Sequence, residues 1–155
     1  MNSIQSRFAT KLLQTACVLA TAASAVFAFA TETPASLPGV TLVTAEQAKK
    51  LMEGGVPLID TRVGNEYAHE HVKGARSVPY KEKSAKNVNF DPKEDSFDLA
   101  KLPAEKNAPI IFYCNAGECW KSYKASKVAV DAGYQKVNWL RGGIPEWKVK
   151  GYPVE

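Results

Sequence analysis

Cysteine and histidine are both scarce in this chain, with three of the first and two of the second among 155 residues. A structural zinc site needs four clustered nitrogen or sulfur ligands. The spacing of Cys114 and Cys119 supplies two, and the histidines, His69 and His71, lie in a distant segment where a helix-end or turn contact accounts for them. No metal site and no nucleotide cofactor are therefore expected. The chain also lacks any basic block interleaved with aromatics, which argues against a nucleic-acid partner. It has no internal repeat. What remains, 45% hydrophobic and 23% charged residues, is the make-up of an ordinary folded protein, neither disordered nor collagenous, at the length of one domain.

The one long apolar run opens the chain. Residues 1–30 combine a short basic start (Arg7, Lys11), the stretch LLQTACVLATAASAVFAFA and an Ala28-Phe29-Ala30 end. This is the pattern of a cleaved signal peptide; an alternative cut follows Ala25. Its alanines, threonines and small-residue end favour cleavage over a membrane anchor. Export to a bacterial periplasm is the expectation, with no membrane association afterwards. Without residues 1–30 the chain keeps 18 Lys and Arg against 16 Asp and Glu, so the exported part is nearly neutral. Cys17 leaves with the leader, and Cys114 and Cys119 enter a compartment where disulfides persist.

Residues 31–40 read as a flexible linker and residues 41–155 as the domain. Within it, strands are expected at 41–43, 56–60, 76–79, 109–114 and 136–140. Thr44 reads as the N-cap of a helix that stops at Gly54. A second helical tendency runs over 61–75 and is broken at Gly74. A third helix follows residue 121 and stops at Gly133. A short helix is expected over 145–150. Residues 81–107 are the most polar part and read as a solvated connection, with Lys81, Glu82 and Lys83 on its surface although they could border a site. Trp139 and Trp147 read as core. Strands alternating with helices give an α/β domain, with a central, mostly parallel five-stranded sheet flanked by helices. Ligands of such sheets bind at the carboxyl ends of the strands.

Cys114 stands at such an end, before a helix. A thiol attacks as its thiolate, which backbone amides and nearby cations stabilise. The turn Asn115-Ala116-Gly117-Glu118-Cys119-Trp120 can curl its amides inward as an anion nest, with Gly117 supplying positive φ. Lys121 offers a fixed charge at the start of the helix, with Ser122 next to it. Three readings of the cysteines stay open on these residues alone: a nucleophile with a companion, a structural disulfide, and a buried core cysteine.

The segment LIDTRVGNEYAHEHVKGARSVPY resembles the rhodanese pattern of a strand ending in Asp, an Arg two residues later, and a Gly-Ala turn, here Gly74-Ala75. The segment VNWLRGGIPEWKVKGYPVE is similar to the second rhodanese signature, and FYCNAGE to its active-site loop. The resemblance runs from about Val43 to Val154. It implies a single α/β domain whose catalytic cysteine, Cys114, carries a persulfide. It implies transfer of sulfane sulfur from a small sulfur-containing anion (thiosulfate, a polysulfide or a persulfide) to a thiol, cyanide or a protein acceptor. A periplasmic redox or sulfur-carrier protein is a further expected partner. Asp60 and Arg62 are implied as a structural bridge beneath the site, in preference to substrate contact by Arg62. Where the family places Arg and Ser, this chain has Cys119 and Trp120. Lys121-Ser122 then resembles that pair displaced by two, which implies a loop two residues longer and a wider site, as in exported rhodanese-like proteins with a Cys-Trp pair. Trp120 is either a shield for the persulfide or packing. Cys119 is either a passive thiol or the thiol that resolves the persulfide, which would make the protein a dithiol redox module. A non-catalytic sulfur-binding module is the rival from another class. Rhodanese-fold phosphatases close their longer loops with an arginine that is lacking here.

Overall fold

The computed structural model describes residues 32–155; the expected leader, residues 1–30, lies outside them. Five strands, β1 (Val40–Leu42), β2 (Leu58–Asp60), β3 (Arg76–Ser77), β4 (Pro109–Tyr113) and β5 (Lys136–Leu140), form one sheet in the order β1-β5-β4-β2-β3. Every pairing is parallel. The helices are α1 (Ala45–Glu53), α2 (Gly64–His69), α3 (Trp120–Asp131) and α4 (Gly143–Val149). Among the described residues, no helix is long and apolar enough to cross a membrane.

Side chains of successive strand residues point to opposite faces, and β4 shows the division. Ile111 and Tyr113 pack with Leu58, Leu140, Ala45, Ala48, Ile144 and Trp147 under α1 and α4. Ile110 and Phe112 pack with Ile59, Val137, Ala125 and Ala129 under α3. β4 is the central strand and is buried throughout beyond its first residue, as expected of a parallel strand covered on both sides. Local signals explain the helix ends. Thr44 and Gln47 form a reciprocal capping box at the start of α1. Glu146 on α4 accepts from the Ala45 amide at 2.8 Å, which docks the two helices.

From β2 the chain moves outward to β3, and from β4 it moves the other way to β5. The crossovers therefore diverge at the boundary between β2 and β4, and the carboxyl ends at such a switch point are where sheets of this kind place their ligand sites. Asp60 and Tyr113 end those two strands and are paired in register. Cys114 follows directly.

Two segments differ from the sequence reading. Residues 32–40 are anchored: Thr33 and Leu37 are buried, and Thr33 bonds to the loop after β4. Residues 81–107 are more than a solvated connection, with Ser84, Phe90 and Leu102 all buried. Asp95 accepts from the Tyr80 hydroxyl, the Lys83 and Ser84 amides and the Ser84 hydroxyl, at 2.6–2.8 Å. Lys124 of α3, 0% exposed, donates to the Ser84 carbonyl and hydroxyl at 3.1 and 2.8 Å. Its ammonium lies 3.6 Å from Asp95 and 3.8 Å from Glu82, whose carboxylate is itself nearly buried. A charged run in the sequence thus contributes the counter-ions for a lysine inside the fold, as a buried ammonium demands.

Candidate active site

The loop 114–119 is fixed from three sides. The Cys114 carbonyl accepts from the Ile144 amide at 3.0 Å. Gly143, at φ +58°, lies so close that a Cβ there would stand 2.1 Å from the Cys114 oxygen and 2.6 Å from the Ala116 nitrogen. The Asn115 side chain donates to Glu66 of α2 and accepts from Arg62 at 3.4 Å. The Gly117 carbonyl accepts from the Thr33 amide and hydroxyl at 2.8 and 2.7 Å. Cys114 and Cys119 are joined as a disulfide, with their Cα atoms 6.2 Å apart. Of the three readings open to the cysteines, the structure contains the bonded one, and Cys114 is 1% exposed in it.

The curl of this loop differs from expectation in one respect. Ala116, not Gly117, carries the positive φ, at +107°. A non-glycine residue in that region costs about 1–3 kcal/mol and persists where its surroundings over-determine it, as the three anchors do here. Gly117 instead leaves room for a neighbouring side chain. A Cβ at that position would meet the Arg141 guanidinium at 3.0–3.2 Å. The Cys119 amide bonds to the Ala116 carbonyl at 3.0 Å. The amides of Asn115, Ala116, Gly117 and Glu118 have no protein acceptor among the described residues, so the loop keeps donors for an anion.

Beneath the loop, Asp60 is fully buried and Arg62 is 5% exposed. Their ion pair spans 2.6 Å, and Arg62 also donates to the Glu70 carbonyl at 2.7 Å. Burial works against the Arg62 charge, but the hydrogen bonds and charge of Asp60 more than offset it, raising its pKa above the ordinary value. The Tyr113 hydroxyl donates to Asp60 and accepts from the Val72 amide. Burial, and then the charge of Asp60, push its pKa up, so it stays protonated.

The other residues singled out in the sequence fall in different places. Glu118 is exposed and Lys121 half-buried, and Lys121 has no ion-pair partner among the described residues. Ser122 is buried inside α3, where it accepts from the Trp139 indole at 2.9 Å. Trp120 is 4% exposed and packs edge-on against Tyr123, in a cluster with Leu37, Phe90 and Trp139. Sequence reasoning passed over Arg141, Gly143, Thr33 and Glu66. A usable signal existed for the first: Leu140 pairs with Tyr113, so the residues that follow the two strands, Arg141 and Cys114, emerge side by side. Among the described residues, no group of three or more His, Cys, Asp or Glu is placed to hold a metal ion.

Comparison with known proteins places this arrangement. The family described as Rhodanese-like domain matches residues 44–150. The chain belongs to this family. Over 113 residues this rhodanese-like chain is 31% identical to thiosulfate sulfurtransferase GlpE of Pseudomonas fluorescens, covering 73% of this chain and 88% of the relative. It is 30% identical over 118 residues to an HTH-type transcriptional regulator of Mycobacterium tuberculosis, covering 76% of this chain but only 46% of that protein. The chain therefore spans about half of that relative's length. The solution structure of a rhodanese-like domain from Anabaena superposes with a TM-score of 0.55 at 24% identity, over 77% of this chain and 80% of the other, and shares the fold. The rhodanese-like domain and the relatives named as thiosulfate sulfurtransferases support sulfurtransferase activity in the broad sense.

Proposed function

We propose that the protein moves sulfane sulfur through a persulfide on Cys114. The observation that carries this reading is the position of Cys114: it follows the central strand at the β2/β4 divergence, in a loop whose amides at 115–118 are unengaged. A disulfide sulfur is no nucleophile, so the cycle starts from the reduced pair. The Cys114 thiolate attacks the outer sulfur of a donor such as thiosulfate. The new S–S bond leaves a Cys114 persulfide, and sulfite departs with the electron pair of the broken bond. An acceptor thiolate or cyanide then attacks the outer sulfur and restores the Cys114 thiolate. Loop amides and Lys121 stabilise the anionic sulfur, while Asp60 and Arg62 act as a bridge holding Asn115. Polysulfides or other persulfides serve the same first step. Export to the periplasm, with a sulfur-carrier or redox protein as partner, belongs to this proposal.

The Cys114–Cys119 bond favours a second reading of the same chemistry. Cys119 thiolate attacks the inner sulfur of the Cys114 persulfide, forms the observed disulfide and expels hydrosulfide. The disulfide then needs a dithiol reductant to return both thiols.

The deciding experiment is the intact mass of reduced protein after thiosulfate or polysulfide, for wild type, Cys114→Ser and Cys119→Ser. One added sulfur in wild type and Cys119→Ser, absent in Cys114→Ser, supports transfer with a passive Cys119. Oxidised wild type, with sulfur trapped only in Cys119→Ser, supports resolution by Cys119. No added sulfur and no oxidation with any donor overturns both.

A further inference from the structure

Arg141 stands beside Cys114 at the end of the neighbouring strand, because β4 and β5 are in register through Tyr113 and Leu140. Its guanidinium lies against the loop, 3.0–3.2 Å from where a Cβ at position 117 would stand. Two of its nitrogens hold the strap that leads into the domain: Nε donates to the Thr33 hydroxyl at 3.2 Å, and Nη2 to the Thr33 carbonyl at 2.7 Å. Nη2 also meets the Glu32 carboxylate at 3.1 Å. Nη1 has no partner among the described residues. The Arg141 side chain is 24% exposed and that of Glu32 66%, so this ion pair is solvated and easily exchanged. Thr33, by contrast, is buried and bonded twice to the Gly117 carbonyl. The strap can therefore keep its anchor while the Glu32 carboxylate swings away.

We propose that Arg141 is the residue that selects and positions anionic sulfur donors at this site, and that Glu32 is an intramolecular carboxylate occupying the same guanidinium until a donor anion displaces it. The proposal rests on the sulfurtransferase reading and names the donor class: compounds whose leaving end is an oxyanion, such as the sulfonate of thiosulfate. A planar guanidinium offers two parallel N–H groups to such an end. The unengaged amides of residues 115–118 lie on the same loop. Lys121 brings a point charge without that geometry. The covering carboxylate makes the site answer to anion concentration, since an anion that takes the guanidinium through both Nη1 and Nη2 must compete with Glu32 for Nη2.

The test has two arms. In the first, the oxidised protein, in which no sulfur transfer runs, is titrated with sulfate and followed by the nitrogen-15 NMR signals of the Arg141 side chain and the Gly117 amide. Wild type shifts both. Glu32→Gln binds sulfate at least threefold more tightly, a gain that general damage to the loop does not mimic. Arg141→Gln binds at least tenfold more weakly. In the second arm, reduced Cys119→Ser protein, with and without Arg141→Gln, is treated with thiosulfate, which leaves a Cys114 persulfide and releases sulfite, or with an uncharged organic trisulfide, which leaves a mixed disulfide or trisulfide on Cys114 and releases the organic persulfide or thiolate, and the adducts are read by mass. Arg141→Gln lowers the ratio of thiosulfate loading to trisulfide loading at least tenfold, through the half-saturating thiosulfate concentration. Sulfate binding equal to wild type in both variants, or equal loss of the two donors in Arg141→Gln, overturns the proposal. If Cys114 of the Cys119→Ser protein loads from no donor, the sulfurtransferase reading fails, and the sulfate titration still decides whether Arg141 and Glu32 compete for an anion.

Discussion

Replacing Gly143 by alanine tests the closest backbone approach in the site. Three terms add. A left-handed φ of +58° costs an alanine about 1–2 kcal/mol. The added Cβ would stand 2.1 Å from the Cys114 oxygen, and relieving an overlap in a packed region costs about 1–3 kcal/mol. Moving the two segments apart lengthens the 3.0 Å bond from the Ile144 amide to the Cys114 carbonyl, worth about 0.5–1.5 kcal/mol. The total is roughly 3–6 kcal/mol, a large share of the 5–15 kcal/mol that holds a typical domain. Gly133 provides the control. It too has a positive φ, +94°, yet nothing lies within 4 Å of a Cβ there, so Gly133→Ala costs only the first term. Urea unfolding of the oxidised proteins separates the two. With a slope of about 1–3 kcal/mol per molar, a difference of roughly 2–4 kcal/mol lowers the midpoint of Gly143→Ala below that of Gly133→Ala by about 0.7–4 M. Equal midpoints would refute the close approach and, with it, the account of how the Cys114 carbonyl is held.

Three further outcomes are expected. Lys124→Ala leaves the carboxylates of Asp95 and Glu82, 1% and 8% exposed, without their cation, and costs about 3–5 kcal/mol in urea unfolding; a loss under 1 kcal/mol would remove Lys124 from the structural account. Burial raises the Asp95 pKa, but hydrogen bonds from Ser84, Lys83 and Tyr80 outweigh it and hold the carboxyl well below its ordinary 3.8. The unfolded chain therefore takes up this proton first as pH falls, so the stability from ionised Asp95 is complete above about pH 4 and is lost below it. Asp95→Asn is expected to be less stable at pH 7 and to show a shallower loss between pH 4 and pH 2; parallel curves would contradict this. Reducing the Cys114–Cys119 disulfide, whose partners are 5 residues apart in sequence, is expected to lower stability by about 2 kcal/mol on the chain-entropy estimate, as the urea midpoint with and without reductant will show.

Much of the fold was legible because its signals are local. The expected strand 136–140 coincides with β5, and the Thr44 cap and the Gly54 stop bound α1 as expected. β4 announced itself as an apolar run long enough to be covered on both faces. The resemblance pointed to Asp60 and Arg62 as a pair, and their side chains form an ion pair at 2.6 Å. What escaped depends on contacts distant in sequence. The role of Gly143 follows from a carbonyl 29 positions earlier, and that of Gly117 from the Arg141 guanidinium just after β5. Nothing in the sequence marks Lys124 as buried, because burial of a charge depends on counter-ions that only the folded 81–96 segment delivers. The strap at residues 32–37 looked like a linker because its anchor is one threonine and one leucine among small and turn-forming residues.

The pairing of Lys124 with residues 82–95 bears on how such a domain can be altered. Because the lysine sits on α3 and its counter-ions sit some 30–40 positions earlier, neither can be exchanged alone. Trimming the segment to a short turn would strand an ammonium inside the protein; replacing the lysine by an apolar residue would strand two carboxylates. Segment and helix position thus have to be exchanged together. A chimera that grafts residues 81–96 onto another rhodanese-like domain needs a lysine one turn into the helix after the cysteine loop, and a homologue with a different connection there is free to lose it.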